Sequence, residues 1–220
     1  MSSLLVDLQN ISVGFPQKTV LEGLSLQVEK GSLVLIEGAT GSGKTTLISL
    51  LSGGLQMQAG FGRVIGIDLP GISLFDLTAM RRRLGIVFQS PRFLDQETVL
   101  TNVSLPLAIT GASRSECRSR GTRALMDANL TAQARKLPHE LSGGEKARLQ
   151  IARALIHKPF LLLADEPFAH LDPESAAAAE SLIAKAHERG TTVLVTTHQT
   201  TRLAKKAIRF AMDKGALYLC

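Results

Sequence analysis

The stretch Gly38-Ala39-Thr40-Gly41-Ser42-Gly43-Lys44-Thr45 decides the fold. It has the P-loop pattern, and it lies between an apolar run, Leu33 to Ile36, and a helix-forming run that begins at Thr46. Glycines let such a loop curl so that its backbone N–H groups point inward around phosphates, next to the positive end of the following helix. Lys44 adds a positive charge, and Thr45 adds a hydroxyl that can bind Mg²⁺. The stretch predicts a strand, a loop and a helix that bind a nucleoside triphosphate.

Four apolar runs, each followed at once by polar or glycine residues, predict strands buried on both faces. The runs are Leu33–Ile36, Gly85–Phe88, Phe160–Ala164 and Thr192–Thr196. Strands of this kind form a mostly parallel sheet with helices packed around it. The groups that follow the runs are, in order, the P-loop, Gln89, Asp165-Glu166 and His198. Ligands bind outside the carboxyl ends of parallel strands, so we expect these groups to converge at one edge of the sheet.

The adjacent carboxylates of Asp165 and Glu166 follow the third apolar run. Adjacent carboxylates are common on loops, but a Mg-triphosphate site needs acidic residues at this position. Asp165 is predicted to hold Mg²⁺ through water, and Glu166 is predicted to orient and deprotonate the attacking water. His198 is predicted to contact the γ-phosphate and steady the water, although a single histidine can also be purely structural.

A second glycine motif, Leu141-Ser142-Gly143-Gly144-Glu145, opens a later helix. Ser142 and Glu145 have the spacing of a capping box. Two glycines inside such a box lower the stability of the helix, so they are expected only where the backbone must approach another group closely. A helix N-terminus with bare amides is also an anion site. The P-loop already encloses the phosphates of one nucleotide. The second motif is therefore predicted to face the triphosphate of a partner molecule.

The length of 220 residues and the 45% hydrophobic content fit one α/β domain. A largely helical stretch, residues 90–157, interrupts the predicted core of residues 1–89 and 158–220 and forms an inserted helical subdomain. Its amphipathic segments run from Arg118 to Met126 and from Glu145 to Ile156. Further on, Asp172-Pro173-Glu174 predicts the start of a helix that ends near Gly190.

Charge and composition narrow the classes of partner. The net charge of +6 is scattered, and its densest cluster, Arg81 to Arg83, has no interleaved aromatic residues. A single Tyr and no Trp disfavour a base-stacking surface, so no nucleic acid is expected. Cys117 and Cys220 are far apart in sequence and have neither metal-ligand spacing nor a disulfide-rich pattern. We therefore expect the reducing cytoplasm as the compartment. We find no signal core or spanning segment in the sequence, and we expect membrane association through a partner.

Taken in order, these motifs resemble the full set of an ABC-transporter nucleotide-binding subunit. The matching segments are Gly38–Thr45, Gln89, Leu141–Glu145, Leu161–Pro167, Leu171-Asp172 and His198. The resemblance spans nearly the whole chain and implies a P-loop NTPase fold, with a RecA-like core, a mostly parallel sheet, an antiparallel β edge and the helical subdomain. It also implies ATP hydrolysis by a head-to-tail homodimer. Each of two Mg-ATP would lie between the P-loop of one copy and Ser142 to Glu145 of the other.

The same resemblance implies further roles for single residues. Gln89 would sense Mg²⁺ and water and link the site to an integral membrane partner, and Asp172 would lie at the dimer seam. An aromatic residue about two dozen positions before the P-loop stacks on adenine in this family, and Phe15 takes that place with Val20 nearby. Burial of Phe15 in the first sheet is the alternative.

Within this superfamily, three segments resemble the FtsE-type cell-division ATPases. They are Arg82–Gln89, Thr98–Val103 and Leu105–Leu107. The resemblance implies an FtsX-like membrane partner, control of peptidoglycan hydrolysis and a place on the inner face of the cell membrane. Lipoprotein-release and MacB-like export ATPases have similar segments and stay open as alternatives. Phe168-Ala169-His170 and Lys146-Ala147 depart from the usual Thr-Gly-Asn and Gln-Gln of these relatives, which loosens the assignment to a subgroup.

Two other classes fit the sequence less well. A soluble ABC-type ATPase that acts on nucleic acid usually carries a coiled coil, zinc modules or a duplicated cassette, and we find none of them in this sequence. A P-loop kinase or GTPase leaves Leu141 to Glu145 unexplained.

Overall fold

The computed structural model describes residues 4–15 and 18–220. The strands in chain order are β1 (Leu4–Phe15), β2 (Lys18–Glu29), β3 (Leu33–Glu37), β4 (Ala59–Val64), β5 (Ile67–Asp68), β6 (Leu84–Val87), β7 (Leu161–Asp165), β8 (Thr192–Thr197), β9 (Ile208–Asp213) and β10 (Ala216–Leu219). The helices are α1 (Lys44–Leu51), α2 (Leu74–Arg81), α3 (Val99–Ile109), α4 (Arg114–Asp127), α5 (Gly143–Leu155) and α6 (Pro173–Glu188). Short 3₁₀ turns lie at Thr131–Gln133, Pro138–Glu140 and Arg202–Lys205.

The larger sheet has six strands in the order β10-β9-β3-β8-β7-β6. Strands β9, β3, β8, β7 and β6 run parallel, and β10 pairs antiparallel with β9 at one edge. The four strands predicted from apolar runs are thus the neighbours β3, β8, β7 and β6. Because they run in one direction, their carboxyl ends share one edge of the sheet, and the prediction of a mostly parallel sheet is confirmed.

Two of the predicted strands were placed one residue off. β6 ends at Val87 and β7 begins at Leu161, so Phe88 and Phe160 lie outside them. The two residues are 44% and 52% exposed. Each of these two apolar runs has the length of its strand but is displaced by one residue along the chain, since β6 begins at Leu84 and β7 ends at Asp165.

The smaller sheet is antiparallel and has the strand order β2-β1-β4-β5. Alternate residues of β1 and β2 are buried, which is the pattern of a sheet with one covered face. Antiparallel pairing therefore occurs in two places: throughout this separate sheet, and at the β10 edge of the larger sheet. The predicted α/β architecture with parallel and antiparallel strands is confirmed.

The parallel sheet separates two apolar cores. Leu33 and Leu35 of β3 point into one core, with apolar residues of α3, α5 and α6. Val34 and Ile36 point into the other, with α1 and the antiparallel sheet. Successive side chains of a strand point to opposite faces, so continuous apolar runs are what a sheet covered on both faces requires.

Helices α3, α4 and α5 occupy the stretch between β6 and β7. The division of the chain into a core and an inserted helical subdomain at residues 90–157 stays a prediction. The predicted helix after Asp172 is α6, which has Pro173 at its first position. Among the helices of residues 4–15 and 18–220, none has the length and apolar character that a membrane span needs.

Candidate active site

The P-loop connects the end of β3 to the start of α1. Gly38 donates its N–H to the carbonyl oxygen of Thr197 at 3.2 Å, which fixes the loop to the end of β8. Helix α1 starts at Lys44, and its N-cap is Gly43, with φ of 113° and no side-chain acceptor for the first-turn amides. A positive φ of this size favours glycine. The first-turn N–H groups of α1 have no capping side chain, which suits the binding of an anion.

Lys44 is buried at the centre of this loop. Its Nζ donates to the carbonyl oxygens of Gly38 at 2.6 Å and Ala39 at 2.9 Å. The same Nζ lies 3.1 Å from Glu166 Oε1. A buried ammonium needs such partners because burial removes its hydration.

Glu166 directly follows β7 and joins Lys44 to His198. Its Oε2 accepts hydrogen bonds from the backbone N–H of His198 at 3.2 Å and, with the ring proton on Nδ1, from His198 Nδ1 at 2.9 Å. The Glu166 side chain is 6% exposed, whereas that of His198 is 39% exposed. Glu166 has φ of 47°, an uncommon value for a residue with a side chain, and its N–H donates to Thr196 O at 3.0 Å. The carboxylate is thus held from both sides, and His198 reaches solvent.

Asp165 ends β7 beside Glu166, and its side chain is buried. Its Oδ1 accepts a hydrogen bond from Thr196 Oγ1 at 2.7 Å, which fixes the carboxylate within the sheet. Thr45, on the first turn of α1, is exposed. Carboxylate and hydroxyl oxygens are ligands that Mg²⁺ prefers, so these donor types fit that ion.

Ser42 provides a test of whether the loop fits a phosphate. Its Oγ is buried and has no hydrogen-bond partner among the described residues, and buried polar atoms of this kind are rare without a reason. Together with the first-turn amides of α1 and the ammonium of Lys44, this hydroxyl is a donor for a phosphate oxygen. The residues present therefore fit a Mg-triphosphate.

Gln89 lies just beyond β6, at the same edge of the sheet, and is exposed. The preceding carbonyl, of Phe88, accepts a hydrogen bond from Gln150 Nε2 at 2.9 Å. Gln89 is the fourth polar group that the parallel strands bring to this edge.

The second glycine motif forms the N-terminus of α5. Ser142 Oγ accepts from the N–H of Glu145 at 3.2 Å, and Glu145 Oε2 accepts from the N–H of Ser142 at 2.8 Å. The capping box is therefore present. Gln133 Nε2 donates to Glu145 Oε1 at 2.7 Å, and the hydrogen bond from the Ser142 backbone is the main cause that lowers the pKa of Glu145.

The two glycines of the motif have different surroundings. A Cβ on Gly144 would collide with Ser175 of α6, so this glycine allows α5 and α6 to approach closely. A Cβ on Gly143 would meet nothing within 4 Å in the part of the chain that the structure describes. Packing against Ser175 thus explains why residue 144 is a glycine, whereas Gly143 faces open space.

Asp172 lies close to the second motif. Its Oδ1 accepts from the N–H of Ser175 at 2.9 Å as the N-cap of α6, and hydrogen bonding to Ser175 lowers its pKa. Ser142, Glu145 and Asp172 line one cleft of about 660 Å³. Among the described residues, no hydrogen bond or ion pair joins Ser142, Gly143, Gly144 or Glu145 to the P-loop or to Glu166. The structure therefore brings the predicted residues together in two groups.

The predicted adenine contacts lie on the antiparallel sheet. Phe15 ends β1 and is 54% exposed, so the alternative of a buried Phe15 is wrong. Val20 is half-buried on β2.

The ABC transporter family model matches residues 21–169, about two thirds of the chain. The chain belongs to the ABC transporter family. This ABC subunit is accordingly an ATP-binding protein and an ATPase, and its α/β fold is the P-loop NTPase fold of ABC cassettes.

Curated relatives of this ABC subunit have different names. The lipoprotein-releasing system ATP-binding protein LolD of Porphyromonas gingivalis is 38% identical over 98% of this chain and 99% of its own length. The cell division ATP-binding protein FtsE of Haemophilus influenzae is 36% identical, over 92% and 94%. The methionine import ATP-binding protein MetN of Rhizobium johnstonii is 38% identical over 98% of this chain, which spans 60% of MetN.

A solved structure extends the likeness to the fold. The ATP-binding cassette MJ0796, in a dimeric post-hydrolysis state bound to ADP and Pi, superposes on this ABC subunit with a TM-score of 0.88. It is 30% identical, and the match covers 97% of this chain and 98% of that chain. The fold of this subunit is that of a cassette that has been observed as a dimer.

Sequence reasoning missed two residues of this ABC subunit that hold predicted site residues in place. Thr196, at the end of β8, bonds Asp165, and Gln150, in the middle of α5, bonds the carbonyl before Gln89. The strand-end position of Thr196 was a usable signal. Gln150 had none, because its partner is a backbone atom 62 residues away.

Proposed function

We propose that two copies of this subunit close head to tail around two ATP molecules. Each ATP lies between the P-loop of one copy and the segment from Ser142 to Glu145 of the other. The observation that carries the proposal is the open space at Gly143, together with the lack of any hydrogen bond or ion pair from that segment to the P-loop among the described residues. The capping box orders the segment in the single chain, and a partner's triphosphate is what its exposed amides fit.

Each predicted residue has a role in the proposal. The backbone of Gly38 to Thr46 and the Lys44 ammonium bind the phosphates, and Phe15 stacks on adenine beside Val20. Thr45, Gln89 and, through water, Asp165 would hold Mg²⁺, which would supply positive charge that offsets the negative charge of the triphosphate. Asp172 lies at the dimer seam, where the cleft it shares with Ser142 opens.

Glu166 is the proposed general base. It accepts a proton from the attacking water as the water oxygen bonds to the γ-phosphorus and the bond to the β–γ bridging oxygen breaks. The leaving ADP keeps the electrons of that bond. His198 bonds the same carboxylate at 2.9 Å and reaches solvent, so it holds the base in place and lies near the expected γ-phosphate position. In the single chain Lys44 pairs with Glu166 at 3.1 Å, and an arriving triphosphate takes over the ammonium and frees the base.

The proposed output is movement of an integral membrane partner on the cytoplasmic side of the cell membrane. The FtsE relative supports a role in cell division. The resemblance of Arg82–Gln89 and Thr98–Val103 to FtsE-type ATPases implies an FtsX-like partner and control of peptidoglycan hydrolysis. The LolD relative, which matches over nearly the whole of both chains, supports lipoprotein release as a second candidate.

The variant Glu166→Gln tests the ATPase mechanism. The amide keeps the shape of the side chain but cannot accept the proton, so kcat should fall about 10²- to 10⁴-fold. ATP affinity should be kept or raised, because every group that binds phosphate remains and Lys44 no longer pairs with a carboxylate. Glu188→Gln, on the exposed end of α6, is the matched control and should keep wild-type turnover. Wild-type turnover in Glu166→Gln would refute the assignment of the base.

Depletion of the subunit in its native cell tests the output. Cell division predicts elongated or chained cells with lipoproteins correctly sorted. Lipoprotein release predicts lipoproteins retained in the inner membrane before any change in cell length. Restoration by wild-type protein, and not by Glu166→Gln, shows that the phenotype depends on ATP hydrolysis.

A further inference from the structure

Gln150 is a buried polar residue to which the proposed mechanism gives no role. Its side chain is 2% exposed in the middle of α5. Its Nε2 donates to the carbonyl oxygen of Phe88 at 2.9 Å, directly before Gln89. Phe88 lies just beyond the end of β6, outside the β6–β7 ladder, so this bond gives its carbonyl a partner that the sheet does not provide.

Helix α5 connects the two groups of site residues. Its first residues belong to the second glycine motif, and Gln150 lies eight residues after Ser142, a rise of about 12 Å along the helix. Near its other end, the helix packs against β6, where a Cβ on Gly85 would collide with the carbonyl oxygen of Ala154. A helix held this closely on β6 shifts as one body, so a displacement at Phe88 reaches Ser142.

The segment after Gln89 is also held. Arg153 of α5 lies over the ring of Phe93, with its Cζ 4.9 Å from the ring centroid. Asn102 of α3 is fully buried and bonds both the N–H of Leu94, at 2.8 Å, and the carbonyl of Leu94, at 3.0 Å. Residues 89–92, between these fixed points, are exposed. Gln89 therefore sits on a short exposed tether whose near end is held by Gln150.

We propose that Gln150 is a positioning residue for Gln89. Its hydrogen bond to the Phe88 carbonyl fixes the backbone directly before Gln89. Because Gln150 belongs to α5, this bond also couples the position of Gln89 to that of Ser142 and Gly143. Within one copy, Gln89 at its own ATP and the segment from Ser142 to Glu145 at the partner's ATP then move together. This inference rests on the proposed roles of Gln89 and of the second glycine motif.

The variant Gln150→Met tests the inference, because it keeps the length of the side chain and removes the donor. We expect kcat for ATP to fall on the order of tenfold, with KM unchanged within about twofold, since one hydrogen bond that positions Gln89 is lost. Ser104→Ala is the matched control. It removes another buried bond from a side chain to a carbonyl, Ser104 Oγ to Cys117 O at 3.0 Å, away from Gln89. It should keep wild-type kcat.

The variant Gln150→Glu adds a readout that a purely structural role would not move. Burial raises the pKa of a carboxyl group, and only the protonated form can donate to the Phe88 carbonyl. The ratio of its kcat to that of wild type should therefore rise as the pH falls from 8 to 6. Wild-type kcat in Gln150→Met, equal losses in Gln150→Met and Ser104→Ala, or a flat ratio for Gln150→Glu would each overturn the inference. Failure of the proposed function shows differently, as wild-type turnover in Glu166→Gln.

Discussion

Lys44 Nζ and Glu166 Oε1 lie 3.1 Å apart, and both side chains are at least 94% buried. The proposed phosphate-binding cation and the proposed base thus neutralise each other in the single chain. Two carbonyl oxygens share the ammonium, and His198 shares the carboxylate, so each charge keeps a partner when the pair separates. This arrangement makes ATP binding and release of the base one event.

Removal of Lys44 should therefore lower stability as well as ATP affinity. Lys44→Ala leaves the Glu166 carboxylate buried without its cation, and the free energy of unfolding should fall by about 3 kcal/mol. The double variant Lys44→Ala/Glu166→Gln should regain part of that loss, because it no longer buries a carboxylate without its cation. Denaturant unfolding of the two single variants and the double variant measures the coupling. Lys206→Ala, at an exposed lysine, is the control. Strictly additive losses would contradict the buried pair.

His198 is expected to affect turnover more than binding. His198→Ala removes the side-chain bond to Glu166 Oε2 and leaves the backbone bond at 3.2 Å, so the base loses one of its two His198 partners. A hydrogen bond to a charged group contributes about 1.5–3 kcal/mol, which corresponds to a fall in kcat of about 10- to 150-fold. Steady-state kinetics should show KM within about threefold of wild type. A change in KM alone would argue that His198 serves nucleotide binding.

The glycines of the second motif form a matched pair. Gly144→Ala places a methyl group against Ser175, and the free energy of unfolding should fall by about 1–3 kcal/mol. Ser175→Gly should restore part of it, because it removes both colliding atoms. Gly143→Ala meets nothing within 4 Å and should leave stability unchanged or slightly raised.

Gly143→Ala, the variant expected to keep its stability, is the one expected to lose ATPase turnover. Gly143→Ala should lower ATPase activity by at least about tenfold, because its methyl group lies where a partner's phosphates must approach. Thermal unfolding and ATPase assays on the same preparations provide both readouts. Full activity in Gly143→Ala would contradict a phosphate site at this helix end.

His157 is expected to make stability depend on pH. Burial lowers its pKa below the ordinary 6.5, with a smaller contribution from the charge of Arg120, and its Nδ1 has no partner within residues 4–15 and 18–220. Between the folded and unfolded pKa values the unfolded state binds more protons, so stability is complete above about pH 6.5 and is lost as the pH falls through the folded pKa. His157→Gln keeps an amide that can bond the Leu84 carbonyl and does not titrate.

The slope of unfolding free energy against pH should therefore be smaller in His157→Gln than in wild type below pH 6.5. Above pH 7.5 the two proteins should show parallel curves. Chemical denaturation at a series of pH values measures both. Equal slopes across the acidic range would contradict the buried neutral histidine.

Strands β3, β6, β7 and β8 were predictable because they are apolar on both faces and end in the residues of the site. The parallel strand β9 was not, because Arg209 and Asp213 break its apolar pattern and only Met212 in it is buried. Leu33 to Ile36 and the loop after it specify a strand, a turn and a helix with little ambiguity. The ends of β6 and β7 were not, since Phe88 and Phe160 are as apolar as their neighbours and only tertiary contacts show that they are exposed.

The roles of Lys44 and Glu166 in catalysis stay predictions, but their convergence at one edge of the sheet was predictable from the chemistry of the strand ends. Their direct pairing was not, because it depends on the orientation of two side chains 122 residues apart in sequence. Gly144 illustrates the same limit. The sequence shows that something must approach closely, and only the packing of α5 on α6 shows that Ser175 does.

The molecular mass of Glu166→Gln in the presence of ATP tests the two-copy site most directly. Light scattering on a sizing column should give twice the 23.6 kDa of one chain with ATP, and the mass of one chain without it. Adding Gly143→Asp, which places a negative charge against the partner's phosphates, should return the mass to one chain while ATP still binds. A single-chain mass for Glu166→Gln at saturating ATP, or a dimer that Gly143→Asp leaves intact, would contradict the proposed composite site.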